Sequence, residues 1–237
     1  MFPKTPFSAH LAALLDQWLP RACLLCGARA EAPVCAGCRA DLPRLTGPLC
    51  PVCAAPLGAP APACGACLKS PPAFDASFSP LIYSFPVDAL IHQLKFACRL
   101  ASAEFFSLSM LEGPRPTGDL LMPVPLSRQR LRERGFNQAL EIARPLARAL
   151  GLPIDATSLT RCRDTLPQSR LPWRARAGNV RHAFACERDL SGLTVIVVDD
   201  VMTTGATLSA IAQTLKNHGA ARVVNWAATR AVSRGPA

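Results

Sequence analysis

At 237 residues, half of them hydrophobic and 18% charged, the chain can hold one medium domain plus a smaller module and is not composed like a disordered protein. No uninterrupted apolar run approaches the roughly 20 residues that span a bilayer, and the first residues lack the form of a signal peptide, so a cytoplasmic protein is expected. The formal charge of +10 suits phosphate groups, on a small molecule or a nucleic acid, though a solubilising face would read the same way.

The chain opens on a Pro-rich start and a short apolar stretch, "LAALL", predicted as a helix within residues 1–19. Residues 20–72 then carry four C-x-x-C pairs: Cys23/Cys26, Cys35/Cys38, Cys50/Cys53 and Cys64/Cys67. A two-residue gap lets both sulfurs of a tight turn face one ion, and two such pairs complete a tetrahedral thiolate site. The short intervals favour two consecutive structural zinc sites, each made by neighbouring pairs. An interleaved arrangement and a redox role for one pair remain open. Disulfides are disfavoured in a chain without a secretory signal. Eight thiolates and two zinc ions would lower the net charge to about +6. Few bulky apolar residues lie in this stretch, so metal must supply most of its folding energy, about 10–16 kcal/mol per ion. The scattered Cys98, Cys162 and Cys186 read as buried apolar residues.

A composition shift over "LKSPPAFDASFSP" marks a boundary, with a second domain expected over 73–237. There "SFSPLIYSF" reads as a strand or hairpin, and Pro86–Leu111 as one amphipathic helix or a pair. "DLLMPVP" is a short buried strand. "NQALEIARPLARALG" is a helix capped by Asn137 and closed by Gly151, with Pro145 expected to kink or interrupt it. "TVIVVDD" is a fully apolar strand, the pattern of a parallel sheet covered on both faces. "LSAIAQTLKNHG" follows as a helix and "ARVVNWAATRA" as a strand. The alternation predicts an α/β fold with a doubly wound parallel sheet.

Ligands of such sheets collect at the carboxyl ends of the strands. There "VIVVDDVMTTGAT" sets Asp199 and Asp200 before a loop with hydroxyls at Thr203, Thr204 and Thr207 and a turn at Gly205. Leaving the strand, the two carboxylates point to different sides, where they can meet a sugar diol. The helix N-terminus behind the loop suits a phosphate. Together they describe a ribose 5-phosphate site. The magnesium strand of a P-loop NTPase is a competing interpretation, but it requires a Gly-Lys pair that the chain lacks. A plain helix-capping Asp turn is the other.

This stretch resembles the 13-residue phosphoribosyl pyrophosphate motif of type I phosphoribosyltransferases. "VPLSRQRLRERGFNQALEIA", "TLPQSRLPWRARAGNVRHAF" and the cysteine-rich head are similar to the ComF family of competence-associated proteins (the ComFC and GntX-like group). The resemblance implies a type I phosphoribosyltransferase fold behind a zinc-ribbon-like module. It implies that Asp199 and Asp200 hold the ribose hydroxyls and shape a magnesium environment, and that Met202, Thr203, Thr204, Gly205, Ala206 and Thr207 wrap the 5-phosphate. Val124–Arg130 would be the loop facing the pyrophosphate, with Leu126 and Ser127 in it, Arg130 and Arg134 as charge partners, and Lys95 a further candidate. Arg174, Arg176 and Asn179 lie on a flap over the site or on a solvated loop. His92, His182 and His218 show no partner pattern. The implied partners are phosphoribosyl pyrophosphate with magnesium, single-stranded DNA entering the cytoplasm, and proteins of the competence machinery, which would also allow a position at the inner face of the membrane. Two function classes follow, a phosphoribosyl-transferring enzyme with unknown acceptor and a DNA-handling protein that reads the metabolite.

Overall fold

Four β-branched residues in a row, Val195 to Val198, have no polar face to offer water, and the strand they form is buried on both sides. In the computed structural model, which describes residues 21–97, 99–162 and 183–232, this strand (β6, Thr194–Met202) is central. It pairs in parallel with β3 (Leu120–Pro123) on one side and with β7 (Arg222–Arg230) on the other. Beyond β7 lie β1 (Ala76–Phe78) and β2 (Leu81–Ile82), both parallel to it and in one continuous register, Phe78 opposite Trp226 and Leu81 opposite Thr229. Pro80, which has no amide hydrogen, interrupts the ladder between them. "SFSPLIYSF" is therefore a broken edge strand rather than a hairpin. The strand order β1-β7-β6-β3, with every pair parallel, is the doubly wound α/β sheet expected. A separate antiparallel pair joins β4 (Leu159–Arg161) to β5 (Phe184–Cys186).

The helices follow the sequence pattern closely. The segment Pro86–Leu111 resolves into a pair, α3 (Val87–Phe96) and α4 (Leu100–Glu112). Helix α5 (Arg128–Arg134) was not anticipated: Ser127 caps it by accepting from the Arg130 amide at 3.4 Å, and Gly135 closes it in the left-handed region. The segment Val124–Arg130 is thus loop only to Ser127, and Arg130 sits on a helix. Helix α6 (Gln138–Leu150) begins at Asn137, whose Oδ1 accepts from the amides of Ala139 and Leu140. It runs through Pro145 without interruption, contrary to expectation. Its buried stripe of Ala139, Ile142, Ala143, Leu146 and Ala147 holds both halves, so packing outweighs the lost hydrogen bond. Helix α7 (Ala206–Asn217) buries Leu208, Ile211, Ala212 and Leu215, as read.

The chain divides after Leu42 into two compact units. In the first, a short helix α1 (Ala36–Ala40) follows Cys35, and Cys23, Val34 and Leu42 are buried. The second contains the sheet together with Cys50–Cys67 and helix α2 (Gly65–Lys69). Its opening residues lie along the sheet edge: Ile82 donates to the Pro43 carbonyl at 2.8 Å and Leu45 to that of Pro80 at 2.9 Å. Cys50, Cys53 and Cys67 share one apolar cluster with Phe74, Met202, Leu208 and Val197. Cys186 is buried as expected, whereas Cys162, just past the end of β4, is exposed. The N-terminal helix, Cys98, His10, His182 and the segment with Arg174, Arg176 and Asn179 lie outside the described residues.

Candidate functional site

The four C-x-x-C pairs gather into two groups of four sulfurs, Cys23/Cys26/Cys35/Cys38 and Cys50/Cys53/Cys64/Cys67, every ligand atom of a group within 4.8 Å of the others. The pairing is consecutive, not interleaved. A tetrahedral zinc with sulfurs at about 2.3 Å sets them about 3.8 Å apart. Cys26 and Cys35 stand at 3.8 Å and Cys53 and Cys64 at 3.6 Å, so both groups fit the ion. Amide hydrogens already aim at the thiols: Cys35 donates to the Cys23 sulfur and Cys64 to the Cys50 sulfur, each at 3.3 Å. Burial raises these two thiols, but the amides around them outweigh it and pull Cys23 down to about 6 and Cys50 to about 7. Zinc held here is structural, its four positions closed by protein.

The carboxyl end of the sheet opens into a cleft of about 920 Å³. Asp199 and Asp200 lie within β6 rather than beyond it, since the strand continues to Met202. The pleat sends Asp200 to the more buried side. Its Oδ2 is paired with Lys95 Nζ of α3 at 2.7 Å, and its carbonyl accepts from Thr229 Oγ1 at 3.0 Å. Burial would raise both carboxyls. It does so for Asp199, helped by the neighbouring negative charge, whereas Lys95 overrides it at Asp200 and holds that carboxyl low. The pair therefore favours one ionised carboxylate, balanced by lysine, beside one that holds its proton more tightly than an ordinary aspartate.

After Met202 the chain turns at Gly205, whose φ of +80° favours glycine. A Cβ there would meet Met202 Cε at 3.0 Å and the Phe74 ring at 3.3 Å. Thr204 Oγ1 accepts from the Ala206 amide and Ser209 Oγ from that of Ala73. Of the residues assigned to this site from the sequence, Lys95, Leu126, Arg130, Arg134, Asp199, Asp200, Thr203 and Thr207 line the cleft together. Ser127 is buried as a helix cap and Met202 as core, so these two position the loops instead. Asn137 is likewise more than a cap: its Nδ2 donates to the Val124 carbonyl at 3.0 Å and fixes the loop opposite the aspartates. Gln138, almost fully buried on the cleft wall, accepts from Arg134 at 2.9 Å, and its Nε2 has no partner among the described residues.

The sequence did not signal the aromatic rim. Tyr83, His92 and Phe96 line the cleft and an adjoining surface groove of about 580 Å³, where Phe85 stands 81% exposed. The rings of His92 and Phe96 are 4.5 Å apart, and the Arg134 guanidinium lies over Phe96. Arg230 was also missed, being an isolated arginine at the end of an apolar strand with no motif around it.

Comparison with known proteins gives the family of the chain. Residues 14–68 match the double zinc ribbon domain and residues 137–230 the phosphoribosyl transferase domain. The chain is 39% identical over 224 residues to the DNA utilization protein YhgH of Salmonella typhi, covering 90% of this chain and 98% of that one. It belongs to the ComF/YhgH family. Competence protein F of Haemophilus influenzae, another member, is 30% identical over 209 residues, covering 84% and 90% of the two chains. Among solved structures, the purine phosphoribosyltransferase of Pyrococcus horikoshii matches 65% of this ComF/YhgH chain and 87% of its own, at 17% identity and a TM-score of 0.31. No helix among the described residues is long and apolar enough to cross a membrane.

Proposed function

We propose that this ComF/YhgH protein binds phosphoribosyl pyrophosphate with magnesium and uses that site in the handling of single-stranded DNA during DNA uptake or utilisation, in the company of competence proteins. One observation carries the donor assignment: a carboxylate pair, a hydroxyl-rich turn into a helix N-terminus and four cationic side chains, Lys95, Arg130, Arg134 and Arg161, converge on one cleft at the carboxyl end of a parallel sheet. Asp199 and Asp200 face the ribose hydroxyls, the Thr203–Thr207 turn the 5-phosphate, and Leu126 and Arg130 with Arg134 and Lys95 the pyrophosphate, while Met202 and Ser127 hold the two loops from behind. Magnesium, a hard cation content with one or two carboxylates plus phosphate oxygens, would neutralise the pyrophosphate. Asp199, whose buried carboxyl is raised beside the Asp200 charge, would gain most from a nearby cation and fits the role of its protein ligand. Arg130 and Arg134 add charge opposite the leaving group, and Asn137 holds the loop that leads into their helix. Residues 20–72 serve as a double zinc module and 73–237 as the donor-binding domain.

The DNA part is supported by the rim. Among the described residues, the strongly apolar aromatics that stand exposed are Tyr83, Phe85 and Phe96, and all three border the groove beside the cleft. Stacking of bases on such rings contributes about 1–3 kcal/mol per base. A single acceptor base could use the same rings, in which case the protein is a phosphoribosyltransferase that consumes its donor.

Titration calorimetry with magnesium and phosphoribosyl pyrophosphate tests the site. Asp199→Asn combined with Asp200→Asn should abolish measurable binding, and undiminished affinity would refute the assignment. Phe85→Ala with Phe96→Ala should weaken binding of single-stranded DNA while leaving its salt slope unchanged. Pyrophosphate release on adding free bases would favour the enzyme instead.

A further inference from the structure

Arg230 ends β7 and is 7% exposed. Its Nε donates to the carbonyl of Cys53 at 2.9 Å, and its Nη1 donates to the carbonyls of Met202, at 3.2 Å, and of Thr203 and Ala231. A guanidinium this deeply buried is costly unless its donors are matched, and the bonds from Nε and Nη1 all meet main-chain oxygens. These oxygens come from segments far apart in sequence. Cys53 is a thiol of the second cluster, and the turn after it is tight enough to put Ala54 at a φ of +55°. Met202 and Thr203 are where the strand becomes the hydroxyl-rich loop. In a trans peptide the N–H opposes the C=O, so holding these two carbonyls aims the amides of Thr203 and Thr204 away from the guanidinium. A planar fork has little freedom to let one partner move while the other stays. Packing repeats the link, because Phe74 and Met202 share the apolar cluster of Cys50 and Cys53 and press on Gly205.

We propose that Arg230 is a positioning residue that couples the second cysteine cluster to the phosphate loop: zinc on Cys50, Cys53, Cys64 and Cys67 fixes the loop, and ligand on the loop retains that zinc. This rests on the donor assignment above and goes beyond it by giving one of the two metal sites a part in ligand binding. Coupling of this kind is reciprocal, so it can be read from the metal as well as from the ligand.

The test measures zinc release from the full-length, zinc-loaded protein to a chromogenic chelator, with and without phosphoribosyl pyrophosphate and excess magnesium. A Cys23→Ser/Cys26→Ser variant, which keeps only the second cluster intact, identifies its phase. The donor should slow release from that cluster about 5-fold or more and leave the first cluster's phase unchanged. In Arg230→Met both ions still bind, the circular dichroism is that of the parent, the protection disappears and donor affinity falls. Arg230→Lys, which keeps the charge and loses the fork, should give at most partial protection, and it stands in should the methionine variant not fold. Donor binding by the parent protein without slower zinc release overturns the coupling alone, as does full protection in either Arg230 variant. Failure of the parent to bind donor overturns the donor assignment and the coupling with it.

Discussion

The two cysteine clusters are built from the same local parts and sit in different surroundings. Each has two C-x-x-C turns, a short helix opened by the third cysteine, and an amide donating to the first thiol. Among the described residues of the first unit, those buried besides Cys23 are Pro33, Val34 and Leu42, and Cys26 is exposed. The second cluster buries Cys50 and Cys53 in the same apolar core as the central strand, and its backbone takes a hydrogen bond from Arg230. One repeat can therefore act as a metal-stapled module and the other as a piece of the domain it touches. Among the described residues, what separates them is how much apolar surface is buried in the unit that holds each.

The largest effect should come from breaking each cluster in turn. Cys50→Ser/Cys53→Ser should lose one zinc and, with it, a share of the about 10–16 kcal/mol that such an ion brings, melting the sheet domain and ending donor binding. Cys23→Ser/Cys26→Ser should also lose one zinc by native mass spectrometry yet keep the cooperative melt of the domain. Equal damage from both would erase the distinction. Phe74→Ala comes next, at about 3–5 kcal/mol by chemical denaturation, with faster zinc loss from the second cluster only.

A destabilisation unrelated to either cluster supplies the control. Asp155, 8% exposed, accepts from the amides of Thr157 and Ser158 at 3.0 and 2.9 Å and pairs with Arg188 at 3.0 Å. Burial alone would raise this carboxyl, but those donors outweigh it and hold it well below its ordinary range. A depressed carboxylate contributes stability that is present above its unfolded value of about 3.9 and lost as pH falls through the folded value. Asp155→Ala should cost about 1–3 kcal/mol at neutral pH, with the gap to the parent narrowing below about pH 4 and both zinc release rates unchanged. The smallest effect is expected for Gly205→Ala, about 1–2 kcal/mol from the left-handed backbone, with a larger proportional loss in donor affinity than in zinc retention.

Much of this was legible in the residues. The run Val195–Val198 announced a buried parallel strand because only a sheet covered on both faces can satisfy it. The hydroxyls and glycine after Asp200 announced the turn into α7. The consecutive pairing of the cysteines followed from chain proximity, which a tight metal site rewards. Pro145 misled because local propensity was weighed without the packing of α6, and α5 went unseen because its seven residues are mostly charged and bury none of them. Strand length past Asp199 was also hidden, since Val201 and Met202 read equally well as loop.

By itself the sequence determined the two thiolate sites, the order of strands and helices, and the acidic pair beside a phosphate-like loop, all of which depend on neighbours in the chain. Tertiary structure alone decided which cysteine cluster joins the core, that Lys95 from a distant helix balances Asp200, that the exposed rings gather at the rim of the cleft, and that one arginine spans Cys53 and Thr203. Those facts bring together residues up to 177 positions apart. No local pattern records such a meeting, because it depends on how the whole sheet packs.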